Sequence, residues 1–106
     1  MSAAPAAKRA RAPALDATVS TLAVPGLGTP SSLFVQADGN RLVSTAHHTL
    51  LTLAPSGQLA VIAGSKDMEG FEDGEGAAAR FNFPRGITVD PAGCMVVVDH
   101  VNHALR

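Results

Sequence analysis

Four histidines and a run of acids are the residues of this chain best equipped for chemistry. His47 and His48 are adjacent, and His100 and His103 are three apart. Asp67, Glu69, Glu72, Asp73 and Glu75 crowd the segment between the two pairs. Imidazoles and carboxylates serve as metal ligands and as acid–base groups. The spacings, however, do not make a set. The acidic run "DMEGFEDGEG" (67–76) lacks the ligand order of a calcium loop, with no acid at the last bidentate position and no turn glycine to match. His100 and His103 offer two ligands across a turn, short of the three or four that a zinc site takes. Asp99, Asn102 and His103 suggest a triad, but no serine or cysteine is presented beside them as nucleophile. Cys94, the one cysteine, falls in a different turn. It can form no internal disulfide and is expected to be a small buried thiol. No catalytic, cofactor or metal residue is therefore assigned, no cofactor is expected, and the chain is expected to bind rather than to catalyse.

Composition narrows the partners. At 106 residues the chain is one small domain or a piece of a larger one, and at 46% hydrophobic it is too apolar for a disordered chain. The aromatic content is 4%, all Phe, which leaves little for stacking on nucleobases. Residues 1–15 carry Lys8, Arg9 and Arg11 and no acid, whereas residues 16–106 carry five basic and nine acidic side chains, a balance of −4. The folded part thus lacks the positive field that nucleic acid or anionic lipid requires. No apolar run approaches the roughly 20 residues of a membrane span, so an intracellular, cytoplasmic chain is the default expectation. Residues 1–16, "MSAAPAAKRARAPALD", are rich in Ala, Pro and Arg, lack apolar periodicity and are expected to form a disordered tail. "KRAR" is compatible with nuclear import and the acid-free start with organellar targeting; a solvated tail is the simpler reading.

What must position the histidines is a repeat. At an offset of 54, "PSSLFVQADGNRLVSTAHHTLLT" (30–52) falls on "PRGITVDPAGCMVVVDHVNHALR" (84–106) without a gap. Pro30 meets Pro84, Leu33 meets Ile87, Val35 meets Val89, Gly39 meets Gly93, Val43 meets Val97 and Leu51 meets Leu105. Each copy predicts a strand (33–36; 87–90), a glycine turn, a second strand (42–45; 95–99), a histidine-bearing turn (46–48; 100–103) and a third strand (49–54; 103–106). A fourth strand is expected at 59–63 and a weaker one at "TVSTLA" (18–23), with at most one helical turn at 76–80. "MVVV", "TLLTL" and "LAVIA" are apolar on both faces, so each small antiparallel sheet should be covered on both sides by a neighbour. Blades stacked about an axis supply that arrangement, with a two-sheet sandwich as the alternative.

At "GFEDGEGAAARFNFPRGITVDPAGCMVVVDHVNHALR" the sequence resembles an NHL repeat. The pattern runs Gly-Phe-x-Asp-Gly, Ala-x-Phe, Pro-x-Gly-Ile-x-Val-Asp, a glycine turn, an apolar strand ending in Asp99, then Asn102-His103-x-Leu105-Arg106. Residues 19–63 fit more loosely, with Thr45 in place of the strand-ending Asp and His48-Thr49 in place of Asn-His. The resemblance implies an all-β, partial and open β-propeller of four-stranded blades, six-bladed in type, used as a binding platform. The expected parts are the tail (1–16), a first blade with a preceding outer strand (17–63) and a second, incomplete blade (64–106). Two blades cannot close a ring, so the chain is expected to be a fragment completed by further blades in cis, with a self-assembling partial propeller as the alternative.

Alternate turns of an up-and-down sheet lie at alternate ends. The histidine turns should therefore share one end with the connector 64–83, and His47, His48, Arg80, Arg85 and His100 form the candidate face for a protein or peptide partner. Gly39, Gly93, Asp99, Asn102 and His103 are expected to shape turns, with Asp99 and Asn102 bonding to backbone groups there. Two other functions remain open. One is a hydrolase resembling the gluconolactonase and senescence-marker propellers, for which the inner strands offer only Gln36 and Asp90. The other is RNA binding, which some NHL domains perform and which the −4 balance opposes.

Overall fold

The computed structural model describes residues 17–106; the expected tail at 1–16, with its Lys-Arg-Ala-Arg stretch, lies outside the described residues. From Pro30 the chain runs up and down. β1 (Pro30–Val35), β2 (Arg41–Thr45), β3 (Thr49–Leu53) and β4 (Leu59–Gly64) form a four-stranded antiparallel sheet in sequence order. A connector holding one turn of 3-10 helix (Gly76–Ala78) leads to β5 (Pro84–Val89), β6 (Met95–Asp99) and β7 (Ala104–Leu105), a three-stranded antiparallel sheet. Neither sheet closes on itself. β1 and β5, the matching strands of the repeat, lie in separate sheets. Each opens on its proline, three residues before the expected start, a position where the missing N–H costs no ladder bond.

The glycine turns are true copies. Gly39 and Gly93 both have φ of 90°, and each donates its N–H to a carbonyl three residues back, Gln36 and Asp90 respectively, at 3.0 and 2.9 Å. Glycine reaches that φ without the steric cost a Cβ would bring.

Two expectations fail. Residues 18–23 form no strand, and Val19 and Leu22 are exposed. A turn at Pro25-Gly26, closed by Leu27 N–H on the Val24 carbonyl at 3.3 Å, sends the segment across the face of the first sheet instead of along an edge. Cys94 is exposed, because its turn projects beyond the sheet.

The repeat also slips by one residue. The second histidine turn is longer, so β7 pairs Leu105 with Val98, as Leu50 pairs with Ser44 in the first sheet. Arg106 exchanges backbone bonds with Val97 at 2.7 and 2.8 Å and takes the place Leu51 holds opposite Val43. The structural counterpart of Leu105 is therefore Leu50, where the gapless alignment matched it to Leu51.

Strand pairing sorts the side chains onto faces. Phe34, Leu42, Ser44 and Leu50 share one face of the first sheet, and Leu33, Val43, Leu51 and Val61 share the other. The first of these faces packs against the second sheet. Leu42 and Leu50 join Ile87 and Val97 in one buried cluster, with Ala79 and Phe81 of the connector between them. Burying each large side chain contributes about 1.5–3 kcal/mol. The opposite face carries a smaller cluster of Val43, Leu51 and Leu53, roofed in part by Val24 and Leu27 of the leading segment.

A chain of hydroxyls crosses the sheet junction. Ser31 Oγ donates to the Pro84 carbonyl at 2.6 Å. With its single proton so used, Ser31 accepts from Ser44, which in turn accepts from Ser32. Ser44 is thereby fully satisfied although no part of it reaches solvent.

Candidate functional site

The histidine turns and the connector meet at one end of the two sheets. Gly64 closes β4 and the connector follows directly, with Asp67 N–H returning to the His47 carbonyl at 3.0 Å. At the other turn, His100 and Val101 donate to the carbonyls of Phe83 and Asn82 at 3.3 and 3.0 Å. Every non-glycine residue of positive φ among those described lies at this end: His48, Asp67, Phe83 and His103. At the opposite end, the three turns around Gly39, Gly57 and Gly93 use glycine alone for such φ values.

The five residues of the expected binding face do different jobs. His48 is buried; its Nδ1 accepts the Phe83 N–H at 3.1 Å, and its ring meets the Phe83 ring edge-on at 4.8 Å between centroids. It pins the connector to the first turn and presents little to solvent. His47 Nδ1 lies 2.8 Å from Asp67 Oδ1, a pair at the surface. The hydrogen bond from His47 is the main cause holding the Asp67 carboxyl below its usual value, and nearby Lys66 adds to it. Arg80 is turned onto its own connector, where its guanidinium donates to the carbonyls of Ala77 and Ala79. Arg85 and His100 remain exposed. They line a cleft of about 190 Å³ at the junction of the two sheets, together with Thr29, Ala46, Phe83 and Pro84. No carboxylate lines it, and among the described residues Arg85 makes no ion pair.

Asp99 is the most completely enclosed charged residue, with none of its surface exposed. Its Oδ1 accepts the Asn82 N–H at 2.8 Å, and its Oδ2 accepts from Asn102 Nδ2 and from the Arg106 guanidinium, both at 2.8 Å. The expected bonds to backbone within its own turn are replaced by one to the connector and two to side chains. Asn102 uses its second amide hydrogen on the Gly70 carbonyl at 2.8 Å. His103 is exposed and closes the turn by donating its N–H to the His100 carbonyl at 3.2 Å.

Arg106 enters the sequence reading only as the last residue of the repeat pattern, with no role of its own, yet it organises this region. It pairs with Asp99 and, at 2.6 Å, with Asp73. It also donates to the carbonyls of Glu72 and Arg80, and it lies over the Phe71 ring at 4.6 Å and near Phe81 at 5.6 Å. The signal available was a lone basic residue following an apolar strand, across from an acid-rich loop. Glu69, Glu72 and Glu75 are exposed and form no ion pair among the described residues. Asp90 spends its carboxylate on the N–H groups of Ala92 and Cys94, at 2.9 Å each, which makes it a turn former. Among the described residues no three of His, Cys, Asp or Glu converge as a metal-binding group, and no helix is long and apolar enough to cross a membrane.

Fold and site together define an all-β chain of stacked antiparallel sheets with a cationic cleft at their junction. Comparison with protein-family models and with curated proteins matches none to it.

Proposed function

We propose that the chain is a pair of adjoining blades of an NHL-type β-propeller and that it acts as a scaffold for a protein or peptide partner. Two antiparallel meanders packed face to face, with apolar side chains on their outward faces as well, support the propeller reading over a closed sandwich, whose outer faces are polar. The observation that carries the binding reading is the cleft between the sheets. Arg85 and His100 supply donors at its mouth, Phe83 and Pro84 supply an apolar wall, and no acid competes for them. That combination suits an acidic side chain presented on an extended peptide.

A displayed random-peptide library panned on the chain should enrich sequences containing Asp or Glu. Their binding should weaken at least tenfold in Arg85→Ala and fall as salt rises. Failure to enrich any sequence overturns the scaffold reading. Enriched peptides that bind Arg85→Ala equally well overturn the cleft as the site.

A further inference from the structure

The interface between the two sheets is built from two unlike faces, and one of each is left over. Inside the chain, the face of the first sheet bearing Leu42 and Leu50 packs on the face of the second sheet bearing Ile87 and Val97. The repeat makes Ile87 and Val97 the counterparts of Leu33 and Val43, and the strand register makes Val96 and Leu105 the counterparts of Leu42 and Leu50. The chain therefore offers a second example of each half without an opposing sheet: Leu33 and Val43 on the first sheet, where Leu33 is exposed and Val43 lies under Val24 and Leu27, and Val96, Val98 and Leu105 on the second, where Val98 and Leu105 are exposed. Exposure follows this division at the strand residues that nothing roofs: Ile87 is 9% exposed and Leu33 is 58%, while Leu50 is 2% exposed and Leu105 is 73%; Val43, beneath Leu27, stays as buried as Val97.

The leading segment extends the correspondence. Phe81, counted back by 54, falls on Leu27. Phe81 sits among the side chains between the sheets, and Leu27 sits over Val43 and Leu51 on the outward face of the first sheet. Val24 and Leu27 thus stand where the connector stands in the formed interface. They do not close off the face, since a groove of about 390 Å³, lined by Leu22, Val24, Leu27, Leu33, Val43 and Leu53, remains beside them. The cluster of Val43, Leu51, Leu53, Val24 and Leu27 is one half of the inter-sheet core, lacking its opposing sheet.

We propose that a second copy of this chain supplies that sheet. The Val96–Val98–Leu105 face of one copy docks on the Leu33–Val43 face of the next and continues, between molecules, the interface already made within each. The contact is head to tail, so each copy retains one donor face and one acceptor face, and the series ends when the ring closes. With two sheets per copy, two to four copies give the four to eight sheets of a closed propeller. The inference rests on the pairing of faces and is independent of what binds the cleft.

Sedimentation or light scattering on the purified chain should give a discrete oligomer of two to four copies. Leu33→Glu and Leu105→Glu each block one face at an exposed position, and each should yield a folded monomer by circular dichroism. Mixed in equal amounts, the two variants should form a one-to-one heterodimer and nothing larger, because one intact face of each kind survives. Val35→Lys and Val98→Lys repeat the test if either glutamate variant fails to fold. A wild-type chain that stays monomeric at high micromolar concentration overturns the proposal. So does a mixture that forms no heterodimer, or an aggregate indifferent to all four substitutions.

Discussion

Leu50 and Leu105 occupy the same place in their two sheets, each opposite the strand residue two before the histidine turn begins. Leu50 is sealed beneath the second sheet, and Leu105 faces outward with nothing over it. Equivalent positions with opposite surroundings show that the two sheets differ in their neighbours more than in their construction.

Asp99 and Arg106 form the buried ion pair on which the connector hangs. Asp99→Ala leaves the Arg106 guanidinium, the Asn102 amide and the Asn82 N–H short of an acceptor. The expected loss is about 3 kcal/mol, which a lowered denaturation midpoint at unchanged slope would report. Arg106→Lys should recover little of it, because an ammonium cannot reach Asp99, Asp73 and two carbonyls together. A midpoint equal to wild type in either variant contradicts the role assigned to the pair.

His48 has φ of 68° and accepts the Phe83 N–H. His48→Val removes the acceptor and puts a β-branched side chain in the left-handed region, at a combined expected cost of about 2–4 kcal/mol. His48→Asn tolerates that φ and should cost less. Hydrogen exchange at the Phe83 amide should accelerate in both, and an unchanged exchange rate would exclude the bond.

Gly39 and Gly93 separate conformational cost from crowding. A Cβ at Gly93 meets nothing within 4 Å, whereas at Gly39 it comes within 3.3 Å of Pro55. Gly93→Ala should therefore show only the backbone penalty, about 1–2 kcal/mol, and Gly39→Ala somewhat more. Reversal of that order by thermal melting would be inconsistent with the two turn geometries.

The depressed Asp67 carboxyl predicts a share of stability that is present above its unfolded pKa of about 3.9 and lost as pH falls through the lower folded value. Asp67→Asn should flatten the stability curve below about pH 4 relative to wild type. Superimposable acid limbs for the two chains would show that the His47 contact does not survive in solution.

Much of this architecture is legible in the residues. The offset of 54, the two glycine turns and the apolar strands place seven strands in two separate antiparallel sheets, because turn glycines and short apolar runs act locally. What escaped depends on partners far away in sequence. The one-residue slip at β7 is invisible to an alignment in which Leu51 and Leu105 are both apolar. Residues 18–23 look like a strand by composition, but their fate is set by the Pro25-Gly26 turn that lays the chain across a face. Of the candidate site, His48 and Arg80 look like surface groups by type, yet each is taken up by a neighbour that no spacing reveals. Arg85 and His100, fifteen residues apart, meet because β5 pairs with β6 so that Pro84 lies opposite Asp99, and Thr29 and Ala46 beside the first sheet complete the cleft.

The side-chain-bearing residues in left-handed conformation are gathered at one end of the sheets, and the far end relies on glycine. Random mutagenesis should therefore register very differently on the two rims. Around Gly39, Gly57 and Gly93 the side chains engaged are few, chiefly the Asp38 and Asp90 carboxylates that cap the first and last turns, so inserted epitopes or new loop sequences that keep those aspartates belong there. The histidine rim is a jointed frame in which exchanging one residue unsettles several others, and an engineer seeking a new specificity would leave that frame intact and graft onto the opposite loops.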